Sequence, residues 1–104
     1  MNRKTVFICA PYAGEISLNI NRAMAVSHKL WESGYMPLCP HISASFFCED
    51  TEREKALDYC LQLLTMSDYI YIIPGTISAG MSGEIRLAKA LNKTQLILEL
   101  NGRI

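Results

Sequence analysis

The sequence predicts a single-domain, Rossmann-like three-layer α/β fold with a parallel sheet of four or five strands. Three observations predict it. Short, largely apolar runs recur four times along the chain, as strands buried on both faces require. Longer segments with helical apolar spacing separate them, giving the order βαβαβαβ with helical crossovers on both faces of the sheet. The length, 104 residues, suits one domain spanning 1–104 rather than two, and a chain of this size buries roughly two-thirds of its unfolded surface.

The elements follow in order. Val6-Phe7-Ile8-Cys9-Ala10 reads as a first buried strand, broken by Pro11-Tyr12-Ala13-Gly14. Ser17 through Ser33 reads as a helix: Ile20, Met24, Ser27 and Trp31, with Ala23, Val26 and Leu30 beside them, recur at helical spacing. Ser17 is the expected N-cap and Gly34 the stop. Tyr35 to Leu38 is a short second strand ended by Pro40, and an irregular Ser- and Phe-rich segment runs from His41 to Asp50. A second helix is expected over Thr51–Ser67, with a Thr cap and Ala56, Leu57, Cys60, Leu61, Leu63 and Leu64 on its apolar face. Tyr69 to Ile73 is β-branched and aromatic, as a strand should be. A loop over 74–80 leads to a third helix, Met81–Asn92, with Ile85, Ala88 and Leu91 inward, and Thr94 to Leu98 forms the last strand. Met24, Met36, Met66 and Met81 read as packing residues.

Ten Lys and Arg balance ten Asp and Glu. That leaves no electrostatic footprint for polymeric nucleic acid or an anionic membrane. No apolar run approaches the roughly 18 residues that span a bilayer. The basic then apolar N-terminus is too short for a signal peptide before Pro11, so a cytoplasmic protein is expected. Cys9, Cys39, Cys48 and Cys60 form no C-x-x-C pair and read as free, mostly buried thiols. Cys39, His41 and Cys48 match no zinc-module spacing, and no metal or cofactor is expected. Only 19% of residues are charged, which suits a homodimer or higher homo-oligomer.

Ligands of such sheets sit at the C-terminal strand ends, which gathers residues 10–15, 39–50 and 74–84 in one place. In the third of these loops, Ser78-Ala79-Gly80-Met81-Ser82-Gly83-Glu84 leads from strand to helix. Its glycines allow close backbone approach, its serines offer hydroxyls, and a helix end offers N–H groups to an anion. Glu84, expected in the first turn, would be held ionised there and act as a nucleophile or base. The plainer reading is an N-terminal cap in which Glu84 joins Ser82. In the first loop, Ala10, Pro11 and Tyr12 would contact a ligand, Tyr12 by stacking or through its hydroxyl; it is equally a turn with a half-buried ring. Asn19 would hydrogen-bond the ligand or this loop. His41 is a candidate acid or hydrogen-bond partner, or simply a polar edge residue. His28 faces outward and is assigned nothing.

Phe7-Ile8-Cys9-Ala10-Pro11-Tyr12, the Gly-Tyr-x-Pro-x-x-Pro-His segment from Gly34 to His41, Ser67-Asp68 before a strand, and Ser78-x-Gly80-Met81-x-x-Glu84-Ile85-x-x-Ala88 together resemble the nucleoside 2-deoxyribosyltransferase-like superfamily. The nearest likeness is to a small bacterial and phage branch of unassigned function, and it covers almost the whole chain. The resemblance implies a nucleoside or nucleotide as partner and chemistry at its N-glycosidic bond. Glu84 would be the nucleophile that attacks the anomeric carbon, and Ser78, Gly80, Met81 and Ser82 would hold phosphate or sugar. Ser78-x-Gly80 resembles the nucleotide-hydrolase branch more than the transferase branch. It also implies sites built across a dimer interface. Three positions depart from the pattern: Phe7 stands where the family has Tyr, Cys60 where the hydrolases have an Asp, and Pro11 to Gly14 where they have an Arg-containing glycine loop. Those departures keep open a non-catalytic binder of a nucleotide-derived small molecule, or a protein-interaction domain on an enzyme scaffold.

Overall fold

The computed structural model describes residues 2–11, 16–40, 43, 53–75 and 77–97. Among the described residues, four strands, β1 (Thr5–Cys9), β2 (Met36–Leu38), β3 (Tyr69–Ile72) and β4 (Thr94–Leu96), alternate with three helices of more than one turn. These are α1 (Ile16–Glu32), α2 (Arg53–Met66) and α3 (Ala79–Ala90). All strand pairs are parallel, in the order β2-β1-β3-β4, with Val6 opposite Tyr69 and Cys9 opposite Ile72. The sheet thus has four described strands.

Alternation along β1 sorts the core into two layers. Val6, Ile8 and Ala10 point to one face with Tyr71 and Ile73, where α1 covers them with Ala23, Val26 and Leu30. Phe7 and Cys9 point to the other with Ile70, under Cys60 and Leu64 of α2 and Met81 and Ala88 of α3. This is the expected three-layer α/β arrangement.

Two of the three helices, α1 and α3, stop in the same way. After α1 the N–H of Tyr35 donates to the Leu30 carbonyl (2.9 Å) and that of Gly34 to Trp31 (3.1 Å), with Gly34 at φ +94°. After α3 the N–H of Lys93 donates to Ala88 (2.8 Å) and that of Asn92 to Lys89 (3.1 Å), with Asn92 at φ 57°. Each is a Schellman motif built on a left-handed residue, as Gly34 and Asn92 predicted.

Several expected boundaries and faces move. α1 begins at Ile16, so Ser17 lies inside the first turn, exposed, and does not cap it. α2 ends at Met66, because the Ser67 N–H closes a tighter turn on Leu64 and its hydroxyl donates to the Leu63 carbonyl. Thr51 and Glu52, the expected cap, lie outside the described residues. β2 starts at Met36 instead of Tyr35, and β3 ends at Ile72, although the Ile73 N–H still donates to Cys9 (3.0 Å). β4 pairs only through Leu96; Leu98 lies outside the described residues.

The helices carry more apolar residues than the sheet can cover. On α1 the buried stripe is Ala23, Val26 and Leu30, while Ile20, Met24 and Trp31 face outward. Trp31 instead packs under Arg3, whose guanidinium lies 3.5 Å from the ring centroid and donates to the carbonyls of Trp31 and Tyr35. Leu57 and Leu61 of α2 and Leu91 after α3 are likewise exposed. Of the four methionines read as packing residues, Met81 is buried, and Met66, 77% exposed, is the furthest from it. No helix among the described residues is long and apolar enough to cross a membrane.

Candidate functional site

The strand order makes β1 and β3 the pair from which the chain departs in opposite directions. After β1 it runs through α1 to the β2 edge; after β3 it runs through α3 to the β4 edge. A crevice at the C-terminal ends of such a pair is the usual ligand position in open α/β sheets. Here that end of the sheet carries Cys9, Ala10 and Pro11 as the chain leaves β1, and Ile73, Pro74 and the 77–81 segment as it leaves β3.

The 78–84 segment is not arranged as its spacing suggested. α3 starts at Ala79, two residues earlier than expected, because Ser78 is the N-cap: its extended backbone (φ −78°, ψ 168°) lets Oγ accept from the Met81 N–H at 3.2 Å. Ser82 is half-buried inside the helix, its N–H bonded to the Ser78 carbonyl (3.0 Å), and is not a cap. Gly80 is half-buried in the first turn, where an added Cβ would meet nothing within 4 Å.

The earlier start carries Glu84 into the second turn, beyond the reach of the helix-end field, and onto the inward face beside Met81 and Ala88. Glu84 is 6% exposed, and its Oε1 has no hydrogen-bond partner. Burial therefore pushes its carboxyl up to about 7, against a weaker downward pull from the Cys9 thiol. The expectation of a carboxylate held ionised by the helix end is thus reversed: desolvation wins. The facing residue from β1 is Cys9, fully buried, whose Sγ lies 3.9 Å from the Met81 carbonyl. Burial, the Glu84 charge and the nearby Cys60 all push this thiol up, so it stays protonated at any ordinary pH.

The α1 face of the sheet carries a second polar pair. Arg22 of α1 reaches across to donate from Nη2 to the Pro74 carbonyl at 2.6 Å, closely enough that a Cβ on Gly75 (φ +126°) would lie 3.6 Å from it. The buried Tyr71 hydroxyl has no hydrogen-bond partner; burial raises it and the Arg22 charge opposes that.

Of the predicted site residues, Ala10 is buried at the end of β1, Pro11 half-buried after it, and Asn19 half-buried in the first turn of α1. Ser78, Gly80, Met81, Ser82 and Glu84 all fall on one cap and two helical turns. Tyr12 and His41 lie outside the described residues, as do Cys48 and Asp50. Sequence reasoning passed over Cys9, Arg22 and Tyr71. Cys9 had the signal of lying next to the end of the first apolar run; Arg22 had none, since its partner lies 52 residues away.

This arrangement defines a class: a parallel α/β domain with a buried carboxyl beside the C-terminal ends of its two central strands. Two solved structures share the fold. One is a 2-deoxyribosyltransferase from the psychrotolerant bacterium Bacillus psychrosaccharolyticus, 16% identical, with a TM-score of 0.71 over 93% of this chain and 78% of that one. The other is the CMP N-glycosidase BcmB of Clostridium botulinum, 22% identical, with a TM-score of 0.59 over 91% of this chain and 68% of that one. No curated protein matches the sequence. The chain belongs to the family described as a domain of unknown function, DUF7768, whose model matches residues 4–97.

Proposed function

We propose that this protein binds a nucleoside or nucleotide and cleaves or transfers at its N-glycosidic bond, with Glu84 as nucleophile. The observation that carries the reading is a nearly buried carboxyl with an unpartnered oxygen, beside Cys9 at the C-terminal end of β1. A buried acid without partners costs stability, and such groups cluster where chemistry is done. The two fold neighbours, one a deoxyribosyltransferase and one a CMP N-glycosidase, support the same class of substrate.

In this reading ionised Glu84 attacks the anomeric carbon. The C–N bond breaks and the base leaves with its electron pair and takes up a proton. Water or a second base then displaces Glu84 from the sugar, as in retaining glycosidases. Since the Ser78 hydroxyl accepts the Met81 N–H, an anion at this helix end has the N–H groups of Ala79 and Gly80 and the Ser78 proton. Ser82 completes the proposed contacts together with Tyr12 and His41, which lie outside the described residues, and with Ala10, Pro11 and Asn19. Incubation with a panel of nucleosides and their 5′-monophosphates should release free base, and Glu84→Gln should reduce release by on the order of a thousandfold or more. Release that survives Glu84→Gln removes the nucleophile assignment.

A second reading, capture without chemistry, is favoured by one observation: Cys60, in the core beside Cys9, occupies the place where the resembled hydrolases carry an acid. Thermal stabilisation by one nucleotide with no base released selects it; neither response selects a protein-interaction role. Self-association belongs to the proposal as well. Leu57 and Leu61, one turn apart on α2, remain exposed, as a surface covered by a second copy would be. Sedimentation velocity should find more than one chain per particle, and a monomer at all concentrations removes this part.

A further inference from the structure

We propose that Cys9 is the positioning residue of Glu84: its thiol is a two-position donor that rests on the Met81 carbonyl when Glu84 is neutral and turns to the carboxylate when Glu84 is ionised. The proposal deepens the reading of Glu84 as a reactive carboxyl and rests on it for its role in catalysis.

Three observations carry it. Cys9 ends β1 on the same face of the sheet as Glu84, and both side chains are buried there, Cys9 completely. The Cys9 Sγ lies 3.9 Å from the Met81 carbonyl, one helical turn before Glu84, a long contact for a thiol donor, and the Glu84 carboxyl is within hydrogen-bonding reach of the same thiol. The Glu84 Oε1 has no partner, so a charge on this group has an unmet need for a donor. A thiol has one proton to give, and burial keeps that proton in place. It can therefore serve either acceptor but not both. Among the described residues, the other titratable groups packed on this core are Cys60 of α2, also a buried thiol, and the partly buried Tyr59. No charge of opposite sign faces Glu84 among the described residues, so the Cys9 dipole is the means at hand for easing its ionisation.

The test is a titration without substrate, so that it stands apart from whether base is released. The carboxyl carbon of Glu84 is followed by NMR in protein labelled with ¹³C-glutamate, and Glu84→Gln assigns the signal. Cys9→Ala removes the donor, and the midpoint should rise by roughly half a pH unit, the size of a weak hydrogen bond. Cys9→Ser supplies a stronger donor of similar size, and the midpoint should fall below that of the parent protein. A purely structural role would not move the two variants in opposite directions. A midpoint that stays put or moves the same way in both overturns the proposal. Should Cys9→Ala fail to fold, Cys9→Ser decides alone: a lowered midpoint supports the donor, an unchanged or raised one overturns it. Where base release is measurable, the acid limb of its pH profile should shift with the NMR midpoint in each variant. Matching NMR shifts in a protein that releases no base would leave Cys9 positioning Glu84 while ending the nucleophile reading.

Discussion

Two carboxylates of this chain meet opposite fates, and the difference lies in what surrounds each. Asp68 is exposed, yet its Oδ2 accepts from the Thr5 N–H (2.8 Å) and hydroxyl (3.1 Å), while its own N–H donates to the Thr5 hydroxyl (2.9 Å). Those bonds hold its carboxyl below the usual range, the backbone bond most. Glu84 is buried with an oxygen unmet, and desolvation dominates. If Glu84 attacks sugar, it must do so ionised, so base release should rise as pH climbs through about 7 and level off above. A rate independent of pH between 6 and 8 would count against Glu84 as the attacking group. The sequence made Glu84 stand out, because an acid shortly after a strand-to-helix junction is a readable local pattern. Its burial was not readable. That depends on a helix start shifted by two residues and on Cys9, 75 positions earlier in the chain.

At the scale of elements, what was local was legible. Gly34 and Asn92 ended their helices as expected, because the left-handed conformation they adopt is a property of the residue itself. Gly34 makes this testable. A Cβ there would touch nothing within 4 Å, so Gly34→Ala isolates the backbone strain at φ +94°. Its urea midpoint should drop by the equivalent of about 1 kcal/mol with an unchanged slope. An unaffected midpoint would mean that the turn relaxes at no cost. Helix faces were less legible, and for a physical reason. α1 carries Ile20, Met24 and Trp31 as well as Ala23, Val26 and Leu30, and periodicity alone assigns too broad a stripe. The sheet surface decides which side wins, and small Ala23 allows the close approach. The Ser67-Asp68 motif likewise proved structural: it ties the start of β3 to Thr5 of β1, and Lys93 Nζ donates to the Ser67 carbonyl beside it.

At the scale of the whole molecule the shifted carboxyls among the described residues, Asp68 and Glu84, pull the dependence of stability on pH in opposite directions. Asp68 binds its proton less readily folded than unfolded. Its contribution is present above the unfolded value and is lost as pH falls through the lower folded one. Glu84 binds its proton more readily when folded. Between its ordinary value of 4.5 and its folded value of about 7 the native state holds the extra proton, so stability falls as pH rises through that window. The full Glu84 effect is roughly 3 kcal/mol, which for a domain of this size corresponds to a melting-temperature decline on the order of 10 °C. The chain should therefore be most stable on the acid side of neutrality, near pH 4 to 5 (roughly the window between the two groups). Glu84→Gln, which keeps the shape and carries no titrating proton, should melt at nearly constant temperature from pH 5 to 8 and exceed the parent at pH 8. Asp68→Asn should leave that limb alone and flatten only the loss below pH 4. A parent protein whose melting temperature does not change between pH 5 and 8 would mean that Glu84 ionises freely, and with that the desolvated carboxyl beside the end of β1 would be gone.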